Sequence, residues 1–223
     1  MNLAQVAQTA FILAASVGVY SFVRAAQADQ RLNSCQAWCQ MRPNYAGRNR
    51  SVPDFQLKNM DGQMRRMSDF TGKGPVVLNF WTKTCQPCLE EMPELADMAR
   101  ILKDEGVTVV TVCTDEGPDA VRDTLQVVLE GQEPPFEILF DPDGELVVEP
   151  KFGTELFPET WLIDETGIIR ARVDGNPGQR GMGWTNAISL EVLENMQRPG
   201  SCPVEFRAGK PTGKHASLCG EDL

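Results

Sequence analysis

The stretch that decides the fold is Pro75-Val-Val-Leu-Asn-Phe-Trp81, followed after three residues by Cys85-Gln-Pro-Cys88. The first segment is an apolar run with the length of a buried strand, and Leu89 to Lys103 has the composition of a helix. A cysteine pair separated by two residues at such a strand-to-helix junction is typical of a reversible dithiol/disulfide switch.

The start of the predicted helix is a favourable place for a thiolate. Unpaired backbone N–H groups and the helix dipole stabilise negative charge there. Pro87 suits the first turn, because its missing N–H would have no partner at that position anyway. Since the thiolate is the species that attacks disulfides, Cys85 is predicted to be the nucleophile and Cys88 the resolving thiol.

The same cysteine pair is also compatible with half of a zinc site or with a structural disulfide. A zinc ribbon needs a second C-x-x-C or an H-x-x-H to complete four ligands. The sequence has neither, and its single histidine is His215. We therefore expect no metal, and no cofactor other than the redox-active disulfide itself.

Length and charge narrow the class of protein. A chain of 223 residues is long enough for one domain with extensions. It has 21 basic and 31 acidic residues, a net charge of −10. This acidity, without any basic patch, argues against binding to nucleic acid.

The first 28 residues differ in composition from the rest, with Arg24 as their only charge. Residues 4–23 are mainly apolar, which predicts a transmembrane anchor or a signal peptide. Ala26-Gln27-Ala28 fits a signal-peptidase site, but the absence of Lys and Arg before the apolar run narrowly favours an anchor. Either alternative places the remainder outside the cytoplasm, for example in the periplasm.

Seven cysteines fit an oxidising compartment. Cys113 ends an apolar run, 107–113, and is expected to be a buried, inert thiol. The extensions are too polar to form a core, so we expect structural disulfides to join them. A local bridge within the first extension, acting as a second redox centre, remains the rival interpretation, and the connectivity is open. The cysteines concerned are Cys35, Cys39, Cys202 and Cys219.

The remaining pattern predicts an α/β domain at 51–197, between a linker at 29–50 and an extension at 198–223. Strand, helix, strand, helix and strand, then a hairpin and a last helix, imply a mixed sheet flanked by helices. The predicted elements are a hairpin around Asn59–Gly62, strands at 75–81, 107–113 and 137–140, helices at 86–104 and 118–130, a hairpin at 160–173 and a closing helix at 185–196.

The chain resembles the thioredoxin superfamily, and within it the redoxin (AhpC/TSA-like) thiol-disulfide reductases that are exported, often membrane-anchored, and serve cytochrome c maturation. The resemblance covers residues 51–197. It implies a thioredoxin-like fold, disulfide substrates on exported proteins such as apocytochrome c, and a membrane dithiol donor as partner. It rests on Val52-Pro-Asp-Phe-Gln-Leu57, Leu78-Asn-Phe-Trp-Thr-Lys-Thr-Cys-Gln-Pro-Cys88, Glu91-Met-Pro-Glu-Leu95 and Phe157-Pro-Glu-Thr-Trp-Leu-Ile-Asp164.

The resemblance also implies a substrate groove. Pro158 matches the family's cis-proline, which lies opposite the disulfide and leaves the preceding backbone able to pair with an extended substrate. Phe157 and Trp81 are expected beside it, although core packing alone would explain Trp81. Glu159 occupies a position where small or hydroxyl residues are usual. We expect its carboxylate either to favour basic partners at the groove or to face solvent.

The proton chemistry is expected to differ from that of thioredoxins proper. Asn79 stands where they carry a buried aspartate. Glu91, three residues after Cys88, matches a glutamate that such reductases hold near the cysteines. The resemblance therefore assigns proton transfer to Glu91.

Two other functions stay open. Thr82, three residues before Cys85, fits a peroxidase of the peroxiredoxin kind, although a resolving cysteine at Cys88 favours disulfide exchange. Exported copper chaperones of this fold use a Cys-x-x-x-Cys pair and a distant histidine, but the matching residues here, Cys35, Cys39 and His215, lie outside the core.

Overall fold

The computed structural model describes residues 8, 10–26, 50–147, 151–154, 156–180, 183–186, 189, 190, 193, 205–207 and 210–212. Residues 10–26 form helix α1, whose side chains are exposed. No helix within these ranges has both the length and the apolar character needed to cross a membrane. The cysteines of the two extensions lie outside the described residues, so their pairing remains a prediction.

The centre of the molecule is a mixed sheet of seven strands, which confirms the predicted fold class. In chain order the strands are β1 (Gln56–Asn59), β2 (Met64–Arg66), β3 (Val76–Trp81), β4 (Thr108–Cys113), β5 (Glu137–Phe140), β6 (Glu159–Ile163) and β7 (Ile169–Asp174). Their spatial order is β2-β1-β5-β4-β3-β6-β7. The pairs β3–β4 and β4–β5 are parallel, and the other neighbours are antiparallel.

Two helices make the parallel crossovers. Helix α2 (Gln86–Leu102) joins β3 to β4, and α3 (Pro118–Val128) joins β4 to β5. Helix α2 packs on the sheet through an apolar stripe at helical spacing that includes Met92, Leu95 and Ala99. All six residues of β3 are buried, because this central strand is covered on both faces.

The two faces of the sheet carry separate hydrophobic clusters. The cluster under α2 contains Trp81, Cys88 and Leu162. The cluster on the opposite face contains Phe80, Phe152 and Trp161. Alternation along β3 and β6 sends successive side chains to opposite faces, so each strand contributes to both clusters.

Most predicted elements are confirmed to within a few residues at their ends. The hairpin β1–β2 turns at Gly62, whose φ of 76° is a conformation that glycine adopts without strain. Of the closing helix, the structure describes residues 189, 190 and 193, which are helical. A hairpin of β8 (Glu205–Arg207) and β9 (Lys210–Thr212) was not predicted, because the C-terminal extension shows no strand-like alternation.

The topology brings the sequence motifs together at one edge of the sheet. Strand β3 runs towards the cysteines, and β6 lies antiparallel beside it, so the start of β6 is next to the end of β3. In this register Glu159 pairs with Phe80. The segment before β6, with Pro158, therefore lies close to the segment that begins α2.

Candidate active site

Cys85 and Cys88 form a disulfide at the start of α2. Cys85 is the N-terminal cap of the helix, and its Sγ accepts a hydrogen bond of 3.2 Å from the Cys88 backbone N–H. Cys85 is half-buried, whereas Cys88 is fully buried. A partner's sulfur can therefore approach Cys85 more readily than Cys88, in keeping with the predicted roles of nucleophile and resolving thiol.

The peptide bond between Phe157 and Pro158 is cis, as expected from the resemblance. Phe157 is half-buried and contacts both hydrophobic clusters, and Pro158 is buried. The backbone N–H of Gly175, just after β7, donates to the Pro158 carbonyl at 2.8 Å. The cis-proline segment is thus tied to the loop after β7.

Trp81, predicted as a groove residue, lies in the core. Its side chain is fully buried in the cluster that contains Cys88 and borders Cys85. The residue lies on the central strand beneath α2, where both sheet faces are covered. This burial does not support a direct contact between Trp81 and a substrate.

Glu91 is buried, with 1 % of its surface exposed. Asn79 Nδ2 donates to Glu91 Oε1 at 2.8 Å and to Thr160 Oγ1 at 2.9 Å. The indole N–H of Trp184 donates to Glu91 Oε2 at 3.4 Å. The carboxyl is therefore enclosed between α2, the sheet and the segment around Trp184, and it is not a solvated helix charge.

Burial raises the pKa of Glu91 from 4.5 to about 8, because the charged form loses its hydration. The hydrogen bonds from Asn79 and Trp184 lower this pKa, and the negative charge of Glu94 raises it. A carboxyl that titrates near neutral pH, three residues beyond Cys88 on the same helix face, is suited to accept and return a proton.

Glu159 corrects a prediction. It neither faces solvent nor lines an open groove, because it is fully buried. Its Oε1 accepts the indole N–H of Trp161 at 2.8 Å, and its Oε2 lies 3.9 Å from a guanidinium nitrogen of Arg172. The reason is strand alternation: residue 159 points to the same sheet face as Trp161, away from α2.

Asp115, just after β4, is a site residue that the sequence interpretation missed. Its Oδ2 accepts hydrogen bonds from Thr82 Oγ1 at 3.1 Å, from the Lys83 backbone at 2.7 Å and from Cys113 Sγ at 3.1 Å. The carboxylate thereby holds the loop that leads into Cys85. An acidic residue directly after a central strand, two positions beyond a predicted buried cysteine, was the available signal.

Cys113 is free and fully buried, which confirms the prediction of a buried thiol. Burial raises its pKa far above the ordinary range of a thiol. Since the thiolate is the reactive species, Cys113 is unreactive at neutral pH.

Trp184 was also missed, and no local signal marks it. The residue is fully buried, and it contacts Glu91 from 93 residues further along the chain.

Among the described residues, no group of three or more His, Cys, Asp or Glu side chains is arranged to hold a metal ion.

Comparisons with known proteins agree with this geometry. The family model described as the AhpC/TSA family matches residues 49–172. The chain is 33 % identical over 125 residues to a thiol-disulfide oxidoreductase ResA from Geobacillus kaustophilus, a match that covers 56 % of this chain and 68 % of the relative.

Solved structures show the same fold. The match to a Chlorobium tepidum protein designated DsbE, a thiol:disulfide interchange protein, has a TM-score of 0.50 and 28 % identity, and covers 60 % of this chain and 89 % of the other. The thioredoxin domain of a thiol-disulfide oxidoreductase from Bacteroides vulgatus matches with a TM-score of 0.52 at 22 % identity, over 61 % of this chain and 95 % of the other.

Proposed function

The chain belongs to the AhpC/TSA family within the thioredoxin superfamily and is a thiol-disulfide oxidoreductase, and from this premise we propose that it reduces disulfides of exported proteins. The observation that carries the proposal is the asymmetry of the site. A half-buried Cys85 faces incoming partners, while a fully buried Cys88 lies one helical turn before a buried carboxyl, Glu91.

In the first step the Cys85 thiolate attacks one sulfur of a substrate disulfide. A bond forms between Cys85 Sγ and that sulfur, the substrate S–S bond breaks, and the second substrate sulfur leaves as a thiolate that takes up a proton. The helix N-terminus at Cys85 stabilises the attacking thiolate before this step.

In the second step Glu91 accepts the proton of the Cys88 thiol. The Cys88 thiolate attacks Cys85 Sγ, the Cys85–Cys88 bond forms, and the mixed disulfide breaks. The substrate sulfur that was bonded to Cys85 leaves as a thiolate and takes up the proton that Glu91 had accepted. Two electrons have then passed from the dithiol of this protein to the substrate disulfide, and a dithiol donor must restore the reduced pair.

The setting of the reaction is part of the same proposal. The apolar residues 4–23 and the cysteine-bearing extensions support a location outside the cytoplasm, with the N-terminal segment as anchor or cleaved signal. A membrane dithiol donor is the corresponding electron source. Apocytochrome c is a substrate of the expected class, because its cysteines must be reduced before haem attachment.

The test is to trap the substrate intermediate. Cys88→Ser should accumulate mixed disulfides through Cys85, because nothing resolves them, whereas Cys85→Ser should form none and lose exchange completely. Cys113→Ser is the matched control and should exchange normally, since its thiol is buried and protonated. Trapping by the Cys85 variant with normal turnover by the Cys88 variant would reverse the assigned roles.

The direction of electron flow has its own measurement. A reduction potential of the Cys85/Cys88 pair near that of thioredoxin, about −270 mV, supports a reductant, and a value near about −120 mV indicates a protein oxidant. Peroxide consumption tests the peroxidase alternative. The hydroxyl of Thr82 donates to Asp115, which argues against its activating Cys85 in the manner of a peroxidase.

A further inference from the structure

The segment 183–186 lies against α2 at two glutamates that are nearly one turn apart. Thr185 donates from its backbone N–H and its hydroxyl to Glu94 Oε1, at 3.2 Å and 2.9 Å. Trp184 donates its indole N–H to Glu91 Oε2 at 3.4 Å and is fully buried. Consecutive residues of one segment thus contact consecutive carboxylates of the helix that carries the cysteines.

Within the part of the chain that the structure describes, the groups that contact Glu91 are polar and include no cation. From β3 and β6 come the amide of Asn79 and, behind it, the hydroxyl of Thr160. The electrostatic neighbour on its own helix is Glu94, whose negative charge raises the pKa of Glu91, and Cys88 lies three residues earlier on that helix. The charged form of Glu91 is therefore held by two neutral donors, the Asn79 amide and the Trp184 indole.

We propose that Trp184 is a positioning residue for proton transfer, which covers Glu91 against solvent and at the same time donates a hydrogen bond to its carboxylate. The inference rests on the proposed function, in which Glu91 accepts the proton of Cys88. It assigns the segment 183–186 a role in setting the pH range of the reaction, in addition to filling the core.

The two effects of Trp184 act on the pKa of Glu91 with opposite sign. The cover keeps the carboxyl dry and raises the pKa, and the N–H donor stabilises the carboxylate and lowers it. Two substitutions separate these effects. Trp184→Phe keeps most of the apolar cover but removes the donor, and Trp184→Ala removes both.

The experiment follows the ¹³C carboxyl resonance of Glu91 against pH in the oxidised protein. We expect Trp184→Phe to raise the pKa of Glu91 by about one unit, because a donor to the charged form is lost. Trp184→Ala should lower this pKa towards 4.5, because water reaches the carboxyl. A residue that only filled the core would not move the pKa in opposite directions in the two variants.

Trp161→Phe is the matched control. It also removes a buried indole whose N–H donates to a buried glutamate, but that glutamate is Glu159 on the other face. It should leave the titration of Glu91 unchanged. An unchanged or lowered pKa of Glu91 in Trp184→Phe would overturn the inference, and this result does not depend on whether the Ala variant folds.

Kinetics separate failure of the inference from failure of the proposed function. In the reduced protein, Trp184→Phe should shift the pH profile of disulfide exchange to higher pH. The same substitution should cause no shift in a double variant that also carries Glu91→Gln. If Glu91→Gln alone leaves the profile unchanged, Glu91 is not the proton acceptor and the proposed function fails at that step. If Glu91→Gln changes the profile and Trp184→Phe does not, only the role of Trp184 is wrong.

Discussion

Glu91 and Glu159 are two buried glutamates on opposite faces of one sheet, and a comparison of the two shows which surroundings suit proton transfer and which suit packing. Glu91 is 1 % exposed and Glu159 is 0 % exposed, and each accepts the indole N–H of a buried tryptophan. They differ in the second group that each carboxyl meets. Glu159 lies near the guanidinium of Arg172, whereas Glu91 meets the neutral amide of Asn79.

The difference shows that burial alone does not decide what a carboxyl does. A buried carboxylate with a cation beside it can stay charged and hold two strands together, although the pair adds little net stability. A buried carboxyl without a cation is protonated over much of the physiological range, so it is able to exchange a proton. The surroundings of Glu91, where the described residues supply no cation, therefore suit acid–base chemistry, and those of Glu159 suit packing.

The largest expected effect is on stability at alkaline pH in Glu91→Gln. Because the folded pKa of Glu91 is raised from 4.5 to about 8, its contribution to stability is complete below about pH 4.5 and is lost as the pH rises through 8. The glutamine variant does not incur this loss. At pH 9 we expect oxidised Glu91→Gln to have a free energy of unfolding, measured by urea denaturation, that is several kcal/mol higher than that of the unsubstituted protein. This difference should vanish towards pH 4.

Glu159→Gln is the control for that measurement. It should destabilise the protein at pH 9, because it removes one of the carboxylates beside Arg172. If both glutamine variants changed stability with the same sign at pH 9, the distinction between the two glutamates would be lost.

Removal of the guanidinium of Arg172 should have the next largest effect. Arg172→Leu removes the guanidinium beside both Glu159 and Asp174 and should cost about 3 kcal/mol in urea denaturation at pH 7. The double variant Glu159→Leu/Arg172→Leu should recover part of this loss, because the carboxyl of Glu159 is gone, while the ion pair of Asp174 stays broken. A loss in the double variant equal to the sum of the losses in Arg172→Leu and Glu159→Leu would mean that the two residues are not coupled.

Asn79→Asp makes the environment of Glu91 more negative. The new carboxyl would occupy the position of an amide that lies 2.8 Å from Glu91 Oε1, so the two groups would share a proton and the upper apparent pKa would rise. Each unit of rise lowers the carboxylate population at pH 7 about tenfold, and exchange at that pH should slow by roughly this factor. Recovery of the rate at higher pH distinguishes this from a misfolded site.

The smallest expected effect comes from an exposed contact near the same helix. Gln179 Nε2 donates to Glu90 Oε2 at 3.1 Å, and both side chains are exposed. Gln179→Ala should change the free energy of unfolding by less than about 0.5 kcal/mol and leave exchange unaffected. A marked fall in exchange would show that the loop after β7 takes part in the site, which the contrast between the buried glutamates does not anticipate.

Much of the fold and part of the site could be predicted from local patterns. The apolar run at 75–81, the C-x-x-C pair and the helix after it identify the parallel unit, since strand and helix periods are properties of neighbouring residues. Phe157-Pro158 could be recognised through its resemblance to a family. The sequence did not predict the sheet face to which the Glu159 side chain points. That face depends on the exact start of β6, since a shift of the strand by one residue moves each side chain to the opposite face.

The sequence by itself determined that two cysteines lie at a strand-to-helix junction, that a proline precedes a later strand, and that the chain is acidic with apolar and cysteine-bearing ends. Only the tertiary structure decided that Glu159 lies beside a cation and Glu91 beside a neutral amide, that Asp115 holds the loop before Cys85, and that Trp184 covers Glu91. The physical reason is that a pKa depends on burial and on charges within a few ångströms, and these neighbours come from segments far apart in the chain.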